Sequence, residues 1–578
     1  LSAAVASWQP ALCAIPGLSP YAYGSISDSR ARQQLVSGTP GGPGMAVISR
    51  PLDPEVVDPQ NPVVYAPLTL SGAVIGFNVE RLPKVIFPQG EQPPEEVLTA
   101  ERELTGVRVA QLNLTPRLVA KLLTQSYRSQ VEINASKPPY PWSVTNPPHI
   151  DEDPDFVQFN PEFELLRTST KNMGGLVLSG PNSDVASQVW EWILSDPEAR
   201  AWLAGAADPW GMNVNPFFST SPSLNPQGTS FGDPLPDSYP KNDPYCYQGP
   251  EVGPLKVVPP PLCGLDWLPY TQSFRDAARA TRAANDGART NVDASASSAA
   301  SVYKSDGPQG LGQRAILSIT DTASAAQYGV QTARLSRAGD NTAARTFIAA
   351  DEAGLSAGGQ ALKAKDVPDF LEPSPTTLPP GAYPLTALTY AAVTPQSLDA
   401  TARKEYAAFV DYGAGPGQVR GFEYGQLPAG YQPLSEALRA QARAAAAKIR
   451  DPNVVEAQVP IPETLSPDTA PPDTSGEASS GTGADALAPA SEGPGAAGPG
   501  PPTTPTTPTN PPKPSTLERI VDALTTPFHG LAATRYALPL LVVVALLSAL
   551  GALELTKRRS RYATRDDAPP LINEAGSS

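Results

Sequence analysis

Apolar positions along the chain switch repeatedly between an every-second-residue spacing and one of three to four, which predicts strands interleaved with helices. In VVYAPLTLSGAVIGFNVE, residues 63–65 and 73–77 predict two short strands divided by Pro67 and Gly72. Residues 112–123, LNLTPRLVAKLL, predict a helix with Thr115 as N-cap and Pro116 in the first turn, where a missing N–H is harmless. Residues 176–178 predict a strand that runs through SGPNSD into a helix from Asp184, with Val185, Val189 and Ile193 on one face beside Trp192. Strands follow at 315–319 and 385–393, the latter apolar on both faces as a central strand is. Helices follow at 403–412 and 434–449, the last with Leu434, Leu438, Ala442 and Ile449 on one side. This alternation predicts an α/β architecture over residues 1–458. Proline-rich stretches near 80–105, 132–160 and 212–265 interrupt it. They hold Trp142, Trp210, Phe217, Phe218, Tyr245 and Tyr247, too aromatic for linkers, and are expected to be ordered surface loops.

The pattern changes after residue 458. Residues 459–515 are almost all Pro, Thr, Ser, Gly, Ala and acid, ending in PPTTPTTPTNPPKPS, with nothing to build a core from. A disordered spacer is expected, reaching at most about 170 Å in polyproline geometry. Then YALPLLVVVALLSALGAL carries no charge, and with the residues to 555 it is about 20 residues long, enough to cross a bilayer core. Lys557, Arg558, Arg559 and Arg561 follow at once, a cluster expected to stay cytoplasmic. The sequence therefore predicts a transmembrane helix at 536–555, a cytoplasmic tail at 556–578, and a plasma-membrane protein with its N-terminal ectodomain outside and the lipid bilayer as partner.

Composition narrows the chemistry. The 69 prolines are about twice the usual share. A net charge of −15 argues against nucleic acid as a partner. Two histidines and three cysteines leave little for a zinc site or a histidine-dependent catalytic centre, so no cofactor or metal and no enzyme activity is expected. Cys246 and Cys263 lie close enough to close a short loop by a disulfide, worth roughly 3 kcal/mol, or they stand as two free thiols; an exported chain favours the bridge, and Cys13 is left over. Leu1 is not an initiator methionine, and no signal-peptide pattern precedes the first turn signals.

The order of the segments SPYAYGSISDSRARQQLVSG, GPGMAVISRPL, VVYAPLTLSGAVIGFNVE, NLTPRLVAKLLTQSY, ILSITDTASAAQYGVQTARL, YPLTALTYAAV and QPLSEALRAQARAAAAKIR resembles the periplasmic phosphate-binding proteins of bacterial ABC uptake systems, over most of residues 1–450. These are type II solute-binding proteins. The resemblance implies a two-lobed ectodomain, with lobe one at about 1–70 and 385–458 and lobe two at about 71–384. It also implies a tetrahedral oxyanion held at helix N-termini by backbone N–H groups and hydroxyls.

Four elements supply that site in the family. The first, a Gly/Ser/Thr-rich turn, is expected before Leu1. The second survives as Gly24-Ser25, with Ser27 nearby. The third, an aspartate, aligns with Arg50, either a solvated loop arginine or a replacement anion ligand. The fourth, an Arg…Ser-Gly-Thr loop opening a helix, aligns with Ser179-Gly180-Pro181-Asn182-Ser183-Asp184-Val185, where Ser179 stands for the arginine, Asp184 for the glycine and Val185 for the threonine. Ser183 remains as a hydroxyl. Asp184 is expected to cap the helix N–H groups itself and to repel an incoming phosphate. The sequence thus implies a non-enzymatic binding module with an altered anion site formed by Gly24, Ser25, Ser27, Arg50 and Ser183. The ligand would be a small anion, with phosphate disfavoured. The alternative is a ligand-silent surface protein with a protein partner.

Overall fold

The sheet that carries the site is built on one unusually long strand. The computed structural model describes residues 2–37, 42–83, 94–131, 140–164, 166–167, 176–241, 246–263, 269–289, 291–340 and 345–453. In it, β1 (Met45–Ile48), β2 (Val64–Val79), β3 (Leu176–Val177), β4 (Ala315–Asp321), β5 (Gln331–Thr332) and β6 (Thr386–Val393) form a six-stranded sheet. The order is β1-β6-β2-β4-β3, with β5 also paired to β2. The β4–β3 ladder is parallel and the others are antiparallel.

The two short strands expected at 63–65 and 73–77 are one continuous strand. Pro67 is accommodated because the β6 register shifts between Thr389 and Tyr390, so the ladder steps from Thr69 to Pro67 and leaves Leu68 as a bulge residue. A bulge is where a strand tolerates a residue without an N–H. Gly72 does not end the strand either; it marks a change of partner. Val64 to Gly72 pair with β6, whereas Ala73 to Val79 pair with β4. A side chain at Gly72 would meet Leu355 Cδ2 at 2.9 Å, so the position is close-packed.

Helices cover both halves. They are α1 (Ser2–Cys13), α2 (Asp28–Ser37), α3 (Pro116–Leu123), α4 (Asp184–Ser195), α5 (Ala400–Ala414) and α6 (Glu436–Arg450). Thr115 caps α3 as expected, its hydroxyl accepting from the Leu118 amide at 3.2 Å. The helix starts later than the periodicity predicts, because Asn113–Leu114 is taken by a short strand paired to Arg334–Ser336. Asp399 and Ser435 cap α5 and α6 with side-chain oxygens.

One core cluster joins Ala73, Ile75 and Phe77 of β2 to Leu118 and Leu122 of α3 and to Trp190, Trp192 and Ile193 of α4. Val185, expected on that buried face, is only partly buried and packs at its edge. A second cluster sets Trp8 and Leu12 of α1 against Leu68, Phe409, Val410 and Ile449. A third holds Leu35 of α2, Ile48 of β1, Tyr65, Phe370 and Tyr390. Each such side chain, fully buried, contributes roughly 1.5–3 kcal/mol, which fixes the ends of β1, α2 and α4 on which the site depends.

The chain divides into two compact units, Leu1–Glu463 and Thr464–Ser578. The expected stalk at 459–515, span at 536–555 and tail at 556–578 all lie outside the described residues, as does Tyr245. Among the described residues no helix is long and apolar enough to cross a membrane. Cys246 and Cys263 face each other on a two-stranded antiparallel ladder and are joined as a disulfide, and Cys13 is a free, exposed thiol.

Candidate functional site

Three chain ends converge on the carboxylate of Asp184. Strand β1 delivers Ser49 and Arg50 just past its last residue, α2 delivers Asp28 and Arg32 from its first turns, and α4 begins at Asp184 itself. Asp184 Oδ2 accepts from the backbone amides of both Ser49 and Arg50, each at 3.0 Å. Its other oxygen, Oδ1, accepts from Arg32 Nη1 at 2.5 Å. Two consecutive amides and a guanidinium form an anion cradle, and a charge-assisted bond of this kind is worth about twice a neutral one. The Asp184 side chain is 2 % exposed, while the Arg32 side chain on the rim is 22 % exposed.

Asp184 does not cap its own helix, contrary to expectation. Its amide donates to Asp28 Oδ2 at 2.8 Å, so the acid that opens α2 caps α4. The carboxylate of Asp184, at the first helical position, points instead to the β1 end, where three donors outcompete the helix amides that a first-turn side chain reaches. Ser183 takes the N-cap position without a side-chain cap bond. The link is reinforced by the Asp28 amide, which donates to the carbonyl of Asn182 at 3.2 Å. Asn182 has φ +63°, a left-handed conformation that asparagine tolerates, and it turns the loop into α4. One turn into α4, Gln188 Nε2 donates to the Thr386 carbonyl at 2.8 Å, and Thr386 pairs with Gly72. The cradle is thereby tied to the point where β2 changes partner.

Burial first, and the Asp184 charge second, push the Asp28 carboxyl up to about 7, against the lowering effect of the Asp184 amide and Arg32. Arg32 bonds Asp184 directly and acts on Asp28 through its charge.

Of the residues the sequence nominates, Arg50 and Ser183 border this cluster, through backbone groups rather than side chains. Arg50 contributes its amide, and its guanidinium acts electrostatically on Glu372. Ser183 donates its amide to the Asp237 carbonyl at 2.8 Å. Ser27 precedes α2, and its carbonyl accepts from the Ala31 amide at 2.9 Å. Gly24 and Ser25 lie exposed in the extended segment before it. Asp28 and Arg32 are not among the residues the sequence nominates. Their signal is an acid and an arginine four residues apart in DSRAR, a spacing that puts both on one face at the start of a helix.

A second polar cluster is fully buried beneath α3. Lys121 Nζ lies 2.8 Å from Asp153, 3.0 Å from Asp155 and 2.7 Å from Asp208. Arg117 holds Asp155 through two bonds of 2.7 and 2.8 Å, and Tyr127 donates to Asp153 at 2.9 Å. Burial pulls the lysine pKa down, but the three carboxylates outweigh it and hold the ammonium charged. Every acid here is already paired, so the cluster bolts the loops at 150–157 and 208 to α3.

No family model matches the chain, and neither does any curated protein. Among solved structures the chain is similar to a high-affinity periplasmic phosphate-binding protein (PfluDING) bound with phosphate and to a phosphate-binding protein from Stenotrophomonas maltophilia. Each shows 12 % identity and a TM-score of 0.35, with 76 % of this chain and 91 % of that chain covered. A likeness this slight transfers neither site nor ligand.

Proposed function

We propose that the chain is a membrane-anchored, extracytoplasmic binding module of the solute-binding kind, two-lobed and non-enzymatic, whose anion cradle is closed by its own Asp184 carboxylate. The partner change along β2 at Gly72 supports a division into two lobes hinged on one strand. The expected span at 536–555, charge-free from 536 to 553 and backed by Lys557, Arg558, Arg559 and Arg561, supports the anchor. The single observation that carries the reading is Asp184 itself: a buried carboxylate occupies two amides and a guanidinium N–H that otherwise suit a small oxyanion. Phosphate would have to displace three bonds, each charge-assisted one worth roughly 1.5–3 kcal/mol.

Calorimetry of the purified chain with phosphate near pH 8 tests this. The wild-type chain should show no binding at micromolar phosphate, and Asp184→Gly should gain it, because the vacated cradle keeps Arg32 and both amides. Asp184→Asn, which keeps the side-chain shape, serves as the folded control. Tight phosphate binding by the wild-type chain would refute the closed cradle. The same occupancy favours a second reading, a ligand-silent surface protein that recognises a protein partner. In that case no small anion binds the wild-type chain under any condition.

A further inference from the structure

Residues 217–237 close round a cavity of about 530 Å³, none of whose lining residues bonds Asp184. Phe217, Phe218 and Phe231, each half-buried, supply its apolar wall. Phe231 is fixed by edge-to-face contacts with Trp190 at 5.0 Å and with Phe218 at 5.7 Å. Gln227, Thr229 and Asp237 supply polar groups. The loop is held in shape without a ligand: buried Asn225 donates to the Phe217 carbonyl at 3.2 Å and accepts from the Gln227 amide at 2.9 Å. The Asp237 carbonyl accepts from the Ser183 amide at 2.8 Å, which pins this residue to the start of α4. Its Oδ1 accepts from the Ser238 hydroxyl at 2.8 Å, and its Oδ2 has no hydrogen-bond partner among the described residues.

Charge selects the occupant. Asp237 is the one ionisable side chain among the lining residues, and no lysine, arginine or histidine stands with it. An anion would meet this carboxylate with no counter-charge, and an apolar molecule would desolvate it without a partner. A cation gains twice, from the carboxylate and from the negative faces of aromatic rings. The chain's net charge of −15 adds a field that draws cations in. A hard metal ion calls for a cage of oxygen ligands and has no use for three phenylalanines. We propose that this cavity binds a small organic cation, a substituted ammonium whose charged head lies between Asp237 and the phenylalanines and whose polar end meets Gln227 and Thr229. The site does not depend on the cradle reading and stands or falls apart from it.

Choline is the probe, titrated by calorimetry into the purified full chain at neutral pH. Its uncharged carbon isostere, with a tert-butyl group in place of the trimethylammonium, should bind the same wild-type chain about tenfold more weakly. Asp237→Asn keeps an oxygen for Ser238 and the backbone contact with Ser183, and should lose choline affinity by about the same factor. Phosphocholine should bind more weakly than choline, since nothing lining the cavity matches its phosphate. Choline that does not bind at about 10 mM, an isostere that binds as tightly, or an unchanged affinity in Asp237→Asn overturns the proposal. Phosphocholine that binds more tightly than choline overturns it in favour of a lipid headgroup. The isostere comparison uses the wild-type chain, so a variant that fails to fold does not blunt the test.

Discussion

Asp28 accepts the Asp184 amide and keeps its own proton far more tightly than a free aspartate, with a carboxyl raised from 3.8 to about 7, first by burial and then by the neighbouring charge. The raised value gives the folded chain a pH signature of known sign. Between about 4 and about 7 the folded state holds a proton that the unfolded state releases. The stability this contributes is fully present below about 4 and is lost as pH rises through about 7. Solvent screening trims its size, because Asp28 is only partly buried. Thermal denaturation of the wild-type chain should therefore show its melting temperature falling from pH 5 to pH 8, and Asp28→Asn should flatten that fall. An identical slope in both would contradict the assignment. At this scale the sequence located the neighbourhood and missed the chemistry. Gly24, Ser25 and Ser27 lie beside the helix that matters, yet the groups that act are Asp28 and Arg32. A carboxylate's partner is set by which chain end folds against it, and Ser49 lies 135 residues from Asp184.

Helix α3 shows what was legible in an element and what was not. The Thr115-Pro116 start is local chemistry and reads directly from the sequence. The burial of every residue from Pro116 to Leu123, including Arg117 and Lys121, does not, because two cations four apart look like a solvated face until the acids that cover them are placed. Asp153 and Asp155 come from the insertion at 132–160, which reads only as an ordered loop, and Asp208 lies just ahead of the one at 212–265. Lys121→Met should cost about 3–5 kcal/mol by leaving Asp153 and Asp208 buried without their cation, which urea denaturation reads as a lowered midpoint. A loss under about 1 kcal/mol would mean that the cluster is hydrated. Strand β2 departs from the local reading for the opposite reason. Pro67 and Gly72 are breakers by local rule, and long-range pairing converts one to a bulge and the other to a change of partner.

Across the whole molecule, the α/β class followed from the alternation of spacings, and the sheet order did not, because β2 and β6 are joined by a ladder across more than 300 residues of chain. The compact unit Leu1–Glu463 holds the cradle, and the sequence beyond it carries the features from which the stalk and anchor are proposed. The central claim is that this frame supplies its own anion. A crystal structure of Asp184→Gly grown with phosphate tests it most directly. The account predicts a tetrahedral anion within hydrogen-bonding distance of the Ser49 and Arg50 amides and Arg32. A cradle that instead collapses, or holds only water at saturating phosphate, would contradict it.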